Sequence, residues 1–255
     1  MTQKLFEDEN LVIVDKPAGL VVHPGAGLPA VALAKVGEHP KTLVDWLFEN
    51  YPEIKKLNWP ELERAGIIHR LDKDTSGLMM LAKNPETLAK MQKLFQAHSV
   101  KKTYLALVFG KLEKADGEIA GFIGRDPNAR RQQISRNINF DFQPGKVRES
   151  KTHYKTLHQY QYKNYDLTLV EATLETGRMH QIRVHFKSIG HPVIGDQIYN
   201  IKHSRKVSKE LGLTRQFLHA YIISFKNPFD NKQVEVKSEL PEELKIILEK
   251  LNNAK

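Results

Sequence analysis

Two carboxylates and several cationic side chains lie close together in a short polar stretch of the sequence. Asp72 and Asp74 are flanked by His69, Arg70 and Lys73. Nearby cations favour the charged form of a carboxylic acid, so we expect Asp72 to be ionised. An ionised carboxylate held in a cleft can act as a nucleophile, as a general base or as a metal ligand.

Apolar runs on both sides of this stretch predict the elements that hold it. Residues 67–68 and 78–81 are typical of short buried strands. Polar groups between core strands cost free energy unless they are paired or exposed in a cleft. Because loops carried by rigid elements often hold catalytic residues, we interpret residues 69–77 as a candidate active-site loop.

Other interpretations of this loop are structural or metal-dependent. Asp72 and Asp74 could cap backbone N–H groups of an ordinary turn, since Asp, Thr, Ser and Gly are common turn residues. The two carboxylates also lie on one side of an extended segment, as do pairs that hold Mg²⁺ or serve as the acid and base of glycosidases. Lys73 stands between them and disfavours this paired-carboxylate interpretation.

The composition excludes several classes of site. None of the 255 residues is Cys, which excludes disulfides, zinc–thiolate sites, iron–sulfur clusters and thiol nucleophiles. The sequence contains no apolar run of about 18 residues, and residues 1–10 lack the apolar region of a signal peptide. We therefore predict a cytoplasmic protein, in agreement with the missing cysteines.

The positive charge of the chain is concentrated in one segment. The formal net charge is +9, and residues 125–155 include eight Lys or Arg and three Asp or Glu. Residues 124–137 are predicted to form an irregular loop whose arginines could neutralise phosphates: Arg125, Arg130, Arg131 and Arg136. A solvated charged loop without a partner is the alternative interpretation.

Hydrophobic periodicity and capping residues predict the main elements. Helices are expected from Thr42 through residue 48, over residues 85–98 after Asn84, over residues 179–189, and from Pro241 onwards. Strands are expected at residues 11–14, 20–22, 101–109, 117–123, 151–157, 166–175, 215–225 and 233–237. No repeat or linker is visible, which favours a single domain.

The predicted helix over residues 179–189 carries Arg183, which could simply be a long surface side chain. His180 and His185 are five residues apart, about 140° around a helix, and form a poor metal pair. The sequence also lacks a His-Glu-x-x-His motif, so we predict no bound metal.

The candidate loop resembles the signature of a known family. The string His69-Arg70-Leu71-Asp72, followed by Thr75-Ser76-Gly77-Leu78, is similar to that of the RluA-type pseudouridine synthases. Further blocks of the chain resemble the family in the same order, from about Leu11 to about Leu240. They are Lys101–Tyr104, Thr152–Tyr154, Glu175–Arg178, His180–His185, Gly190–Pro192, Gly195–Asp196 and Leu218–Ala220.

The resemblance implies roles for individual residues. Asp72 would be the catalytic carboxylate and Arg183 would pair with it, while Tyr104 would stack on the target base near its C5 proton. Leu218 would line the uracil pocket. The substrate-binding set implied in this way comprises His69, Arg70, Leu71, Thr75, Leu218, Arg178, Gln181, Arg125, Arg130 and Arg131.

The resemblance also implies an α+β fold, with a mixed, mostly antiparallel sheet flanked by helices and loops. One catalytic domain would span residues 1–255, with its core at about 11–240 and without the N-terminal S4 domain of many relatives. The expected activity is the isomerisation of uridine in RNA by a monomer without a cofactor. The blocks are most similar to the subgroup that modifies 23S ribosomal RNA; a tRNA enzyme and a non-catalytic RNA-binding protein are the alternatives.

Overall fold

The computed structural model describes residues 2–24, 41–126, 133–136 and 147–253. The strands are β1 (Gln3–Glu7), β2 (Leu11–Lys16), β3 (Ser76–Ala82), β4 (Lys101–Phe109), β5 (Asp116–Arg125), β6 (Gln133–Arg136), β7 (Val147–Tyr162), β8 (Tyr165–Leu174), β9 (Leu218–Lys226) and β10 (Gln233–Lys237). The α-helices are α1 (Leu43–Asn50), α2 (Pro85–Gln96), α3 (Gln181–Ser188), α4 (Lys202–Leu211) and α5 (Glu242–Asn253). Short 3-10 helices occur at Pro52–Lys56 and Leu62–Arg64.

The chain divides into two compact units. The first contains Met1–Val100 and Ala220–Glu239, and the second contains Lys101–His219 and Leu240–Lys255. Strand β9 crosses this boundary along the chain, with all but its first two residues in the first unit.

In the first unit, β2 pairs antiparallel with both β1 and β3, β9 is the other neighbour of β3, and β10 pairs antiparallel with β9. Every residue of β3 is buried. A strand covered on both faces explains the continuous apolar run that follows the candidate loop.

In the second unit the strand order is β4–β8–β7–β5–β6, and every neighbouring pair is antiparallel. Helices α4 and α5 bury their apolar residues against strand residues of this unit. The shared core contains Leu107, Leu167, Val207, Leu211, Phe217, Leu244, Ile247 and Leu251. The combination of α-helices with a mostly antiparallel sheet confirms the predicted α+β class.

Capping residues place two helix starts as predicted. The Thr42 hydroxyl accepts from the backbone N–H of Asp45, and the Asp45 carboxylate accepts from the N–H of Thr42. The Asn84 side chain accepts from the N–H of Thr87, and Pro85 opens α2. These are local hydrogen bonds of the first helical turn, so they can be predicted from neighbouring residues alone.

Several element predictions are wrong. Residues 20–22 and 67–68 form no strand: Val21 and Ile67 make only isolated bridges. The segment 124–137 is not all loop, because Gln133–Arg136 forms β6 against β5. Helix α4 and strand β1 were not predicted.

Among the helices of the described ranges, none has the length and apolar character needed to cross a membrane.

Gly77, at the end of the candidate loop, allows close packing of two backbones. Its φ is +110°, and a Cβ placed there would lie 2.6 Å from the backbone nitrogen of Ala220 and would also collide with the carbonyl oxygen of that residue. Gly19 also has a positive φ, +85°, but a Cβ there would meet nothing within 4 Å.

We predict that Gly77→Ala lowers the free energy of unfolding by about 3–4 kcal/mol, because it adds a backbone collision to the strain of a positive φ. Gly19→Ala, the matched control, adds only the strain and should cost about 1–2 kcal/mol. Urea denaturation of both variants measures the difference. Equal losses in the two variants would contradict the close packing of Gly77 on Ala220.

Candidate active site

The backbone of the candidate loop is anchored by a buried lysine. Lys16, the last residue of β2, is 0% exposed. Its Nζ donates hydrogen bonds to the carbonyl oxygens of Pro17 (2.9 Å), Leu20 (3.1 Å) and Lys73 (3.0 Å). A buried ammonium group requires such acceptors, so Lys16 joins the turn after β2 to the middle of the loop.

The loop itself forms a turn that presents Asp72. The N–H of Thr75 donates to the Asp72 carbonyl oxygen at 3.1 Å, and the N–H of Gly19 donates to the Lys73 carbonyl oxygen at 2.9 Å. Thr75 is buried, whereas Asp72 is half-buried and Lys73 is exposed. A backbone turn is therefore present, and it leaves part of the Asp72 residue accessible; the capping of N–H groups by the Asp72 and Asp74 side chains stays a prediction.

His69 holds the start of the loop against β3 and α2. Its Nε2 accepts a hydrogen bond from the backbone N–H of Met80 at 3.0 Å. Its ring stacks on Phe95, with 4.7 Å between the ring centroids and 20° between the planes. Both contacts fix the ring, so His69 shapes the loop, and its contact with substrate stays a prediction.

Arg70 is exposed and donates from Nη1 to Nε2 of His23 at 3.3 Å. The other ring nitrogen of His23 donates to the carbonyl oxygen of Pro24 at 2.7 Å. Burial, with a smaller contribution from the charge of Arg70, lowers the pKa of His23. A neutral His23 can accept the hydrogen bond, so the pair orients the Arg70 guanidinium without cancelling its charge.

In the second unit, Arg183 on α3 forms a buried ion pair with Asp196. Arg183 Nε and Nη2 donate to the two carboxylate oxygens at 2.6 and 2.9 Å. The N–H groups of Ile198 and Tyr199 also donate to Asp196. Burial acts to raise the pKa of Asp196, but Arg183 and these N–H groups together hold it below its usual value. Two parallel bonds fix the guanidinium plane.

Tyr199 adds a second contact to this arginine. Its ring centroid lies 5.1 Å from the guanidinium carbon of Arg183. Its hydroxyl accepts a hydrogen bond from the N–H of Gln133 at 2.7 Å and lies 2.8 Å from Nδ1 of His180. His180 has a positive φ of 57° just before α3. Tyr199 therefore links Arg183 to the start of its helix and to β6.

A neutral histidine ties α3 to the sheet of the second unit. His185 is 0% exposed, and its Nε2 and Nδ1 each lie 2.9 Å from a hydroxyl, those of Ser150 and Thr152. The Ser150 hydroxyl donates to the Gly121 carbonyl oxygen, so it accepts from His185. Burial lowers the pKa of His185 to about 4.

Gln181 has both ends of its amide occupied inside the protein. Its Oε1 accepts from the Thr176 hydroxyl and from the N–H of Arg178, and its Nε2 donates to Lys151 and Thr152 on β7. Its predicted part in substrate binding would thus act through the position of Arg178. Arg178 is half-buried, and its Nε donates to the Glu149 carbonyl oxygen at 3.0 Å.

The structure divides the predicted site residues between the two units. The first unit holds His69, Arg70, Leu71, Asp72 and Thr75, and the second holds Tyr104, Arg125, Arg178, Gln181, Arg183 and Leu218. Tyr104 on β4 and Leu218 on β9 are buried, whereas Arg125 at the end of β5 is exposed. Arg130 and Arg131 lie outside the described residues. The predicted pairing of Arg183 with Asp72 stays a prediction.

The sequence did not reveal the residues that hold these groups. Lys16 follows the strand predicted at residues 11–14 without any sign of its role, and Asp196 was noted only within a family block. Their roles depend on partners distant in sequence, so no local pattern marks them.

Within the ranges that the structure describes, no three His, Asp or Glu residues are grouped so that they could hold a metal ion.

The amino-acid sequence of the chain is similar to those of a known protein family. The sequence profile of the RNA pseudouridylate synthases matches residues 10–188. A ribosomal large subunit pseudouridine synthase D of Nitrosomonas europaea is 39% identical over 98% of this chain and 65% of its own length. A protein of the same name from Neisseria meningitidis serogroup A is 37% identical over 94% of this chain and 58% of its own length. The chain thus spans less than two thirds of these two relatives.

Other relatives match over a larger share of their length. An uncharacterised RNA pseudouridine synthase of Bacillus subtilis is 37% identical over 96% of this chain and 71% of its own length. Two solved human structures share the fold. RNA pseudouridylate synthase domain containing 1 has a TM-score of 0.70 at 24% identity, covering 94% of this chain and 84% of that one. Domain containing 4 has a TM-score of 0.73 at 22% identity, covering 98% and 93%.

We predict that Lys16→Met lowers the free energy of unfolding by about 3 kcal/mol, because three partly buried carbonyl groups lose a charged donor. Lys4→Met is the control, since Lys4 makes surface contacts, an ion pair with Glu7 and an approach of 5.6 Å to the Tyr51 ring centroid, whose loss should change the stability by about 1 kcal/mol or less. Urea denaturation measures both. An unchanged midpoint for Lys16→Met would show that the ammonium does not hold the loop.

A second prediction concerns pH. Because the pKa of His185 falls from 6.5 to about 4 on folding, the unfolded chain binds more protons in this range. His185 therefore contributes a loss of about 3 kcal/mol in unfolding free energy as the pH falls from 6.5 to about 4. In His185→Gln this part of the pH dependence should disappear, whereas His98→Asn, at an exposed histidine, should retain it. Urea unfolding at a series of pH values provides the test; identical pH dependence in wild type and His185→Gln would refute it.

Proposed function

Because the chain belongs to the RNA pseudouridylate synthase family, as its RluA-type motifs indicated, we propose that it isomerises specific uridines to pseudouridine in large-subunit ribosomal RNA. The names of two of its relatives support this RNA as the substrate. The observation that carries the activity is the loop of the family signature, residues 69–77, whose anchored backbone leaves Asp72 half-buried. We further propose that residues 1–255 act as one catalytic domain, with its core at about 11–240, in a cytoplasmic monomer.

The reaction needs positioned acids and bases rather than an added reactant. The bond between N1 of uracil and C1′ of the ribose breaks, the base turns, and C5 bonds to C1′. C5 then gives up its proton and N1 gains one, so the product is an isomer of the substrate. Electrons and atoms balance without an oxidant, a metal or a cofactor.

Asp72 is the proposed catalytic residue. Its carboxylate either attacks C1′ or removes the proton of C2′, and both steps require the ribose to lie against the loop. The base must leave the RNA stack to reach a protein group, so the target uridine is unpaired or flipped. Tyr104 then replaces the lost stacking and stands near the C5 proton.

Arg183 is the proposed partner of the Asp72 carboxylate. Its guanidinium is fixed by Asp196 and Tyr199, so its position does not depend on the RNA. A fixed donor aimed at a reacting carboxylate costs no reorganisation during the reaction. The proposal requires Asp72 of the first unit to meet Tyr104 and Arg183 of the second, with Leu218 lining the pocket for uracil.

We predict that Asp72→Asn lowers the release of tritium from RNA labelled at C5 of uridine about a thousandfold or more, because the amide can neither attack C1′ nor remove a proton. RNA binding should change little, since only one partly exposed oxygen is replaced. Asp74→Asn, at an exposed carboxylate in the same loop, is the matched control and should keep most of the activity.

Activity of Asp72→Asn near that of wild type would remove this residue from its role. Loss of wild-type activity in EDTA would instead favour a metal held by Asp72 and Asp74. Pseudouridine mapping in total RNA of a deletion strain identifies the target; a missing tRNA pseudouridine with intact ribosomal RNA would move the substrate to tRNA.

A further inference from the structure

Arg125 and Arg148 lie on the same face of the sheet in the second unit. Strands β5 and β7 are antiparallel, and Ile123 is directly opposite Arg148. Side chains of directly opposed residues point to the same face of a sheet. Arg125 follows Ile123 by two residues along β5, so its side chain returns to this face as well.

Helix α3 covers this same face. The side chain of Ser150, two residues beyond Arg148 on β7, lies 2.9 Å from His185 of α3. Ile123 packs in one cluster with Val184 of α3 and with Tyr199. Both arginines therefore lie on the helix-bearing face, but at the edge where the strands end: Arg125 is the last residue of β5 and Arg148 is the second of β7, and both are exposed.

A third arginine reaches this edge from the segment before α3. Arg178 donates from Nε to the carbonyl oxygen of Glu149, the residue that follows Arg148. Gln181 holds the Arg178 backbone through a hydrogen bond of 2.9 Å. One contact thus holds the Arg178 backbone, and the other holds its side chain beside the strand position of Arg148.

The electrostatic balance at this edge is positive. Burial and then repulsion from Arg148 lower the pKa of Arg178, and the attraction of Glu149 is the smaller effect. Holding guanidinium groups together costs free energy, and an anion that lies between them removes that cost. Phosphate suits such a site because it accepts paired hydrogen bonds from guanidinium groups.

We propose that Arg125, Arg148 and Arg178 form a phosphate-binding surface, named here the arginine surface, that contacts the RNA backbone without reading its sequence. The identity of the anion as RNA rests on the proposed function. Arg148 was not singled out by the sequence, and its place in this group follows from the strand register. The surface would hold the RNA while the base is presented elsewhere, so it sets affinity rather than the rate of the chemical step.

The salt dependence of RNA binding tests the arginine surface. Removing one phosphate contact should lower the slope of log K against log salt concentration by about 0.7–0.9, which corresponds to about fivefold weaker binding at 0.15 M salt. We expect this for Arg148→Gln with a large-subunit ribosomal RNA transcript and with polyuridylic acid, measured by filter binding over a series of KCl concentrations. Arg148→Lys should recover most of the slope, because the charge is retained.

Lys155→Gln is the matched control. Lys155 is exposed on the same strand, and the alternation of side chains places it on the opposite face from Arg148. Its substitution removes the same charge and should leave the slope unchanged. An equal decrease in Lys155→Gln and Arg148→Gln would overturn the proposal in favour of diffuse attraction, and so would an unchanged slope in Arg148→Gln.

Turnover measurements separate this proposal from the proposed function. With wild type active, Arg148→Gln should raise KM about fivefold and leave kcat unchanged at saturating RNA. A decrease in kcat alone would overturn the proposed surface. If wild type released no tritium but Arg148→Gln still lowered the salt slope, the arginine surface would stand and the isomerase proposal would fail.

Discussion

The ammonium group of Lys16 can remain inside the first unit because three backbone carbonyl groups accept its hydrogen bonds. Moving any of them would remove a hydrogen bond from a buried charge in a medium of low dielectric constant, which is expensive. The turn after β2 and the carbonyl of Lys73 are therefore held together. Since Asp72 immediately precedes Lys73, Lys16 also positions the candidate catalytic carboxylate, and it can do so without contacting the substrate.

The second unit positions its cation by the same physical rule but with a carboxylate as the acceptor. Arg183 binds Asp196 through two bonds, and Asp196 is itself fixed by backbone N–H groups. His185 lies two residues further along the same helix and is held neutral by burial. A protonated His185 would add a second buried cation whose two nearest partners are hydroxyl groups, and the neutral ring avoids this cost.

The sequence predicted the parts of this structure whose causes are local. Thr42 and Asn84 cap helices through bonds to residues within one turn, and such bonds can be read from neighbouring residues. Strand β1 and helix α4 were not predicted because their residues are mostly polar and give no clear apolar pattern. Two of the four buried residues of α4 are serines. The burial of Lys16 depends on a carbonyl 57 positions away in sequence. The motifs therefore predicted candidate reactive groups, while the residues that hold them became visible only in the fold.

In the proposed function, the contrast between buried and exposed cations would let the chain bind RNA without distorting its candidate reactive groups. Lys16 and Arg183 have acceptors supplied by the protein, so folding alone stabilises their positions. Arg148 and Arg178 of the arginine surface instead repel each other, and Glu149 opposes this repulsion only in part. Folding alone would disfavour this arrangement, and a phosphate would stabilise it. The proposed RNA binding would then relieve repulsion at the ends of β5 and β7 and leave the anchored groups where folding placed them.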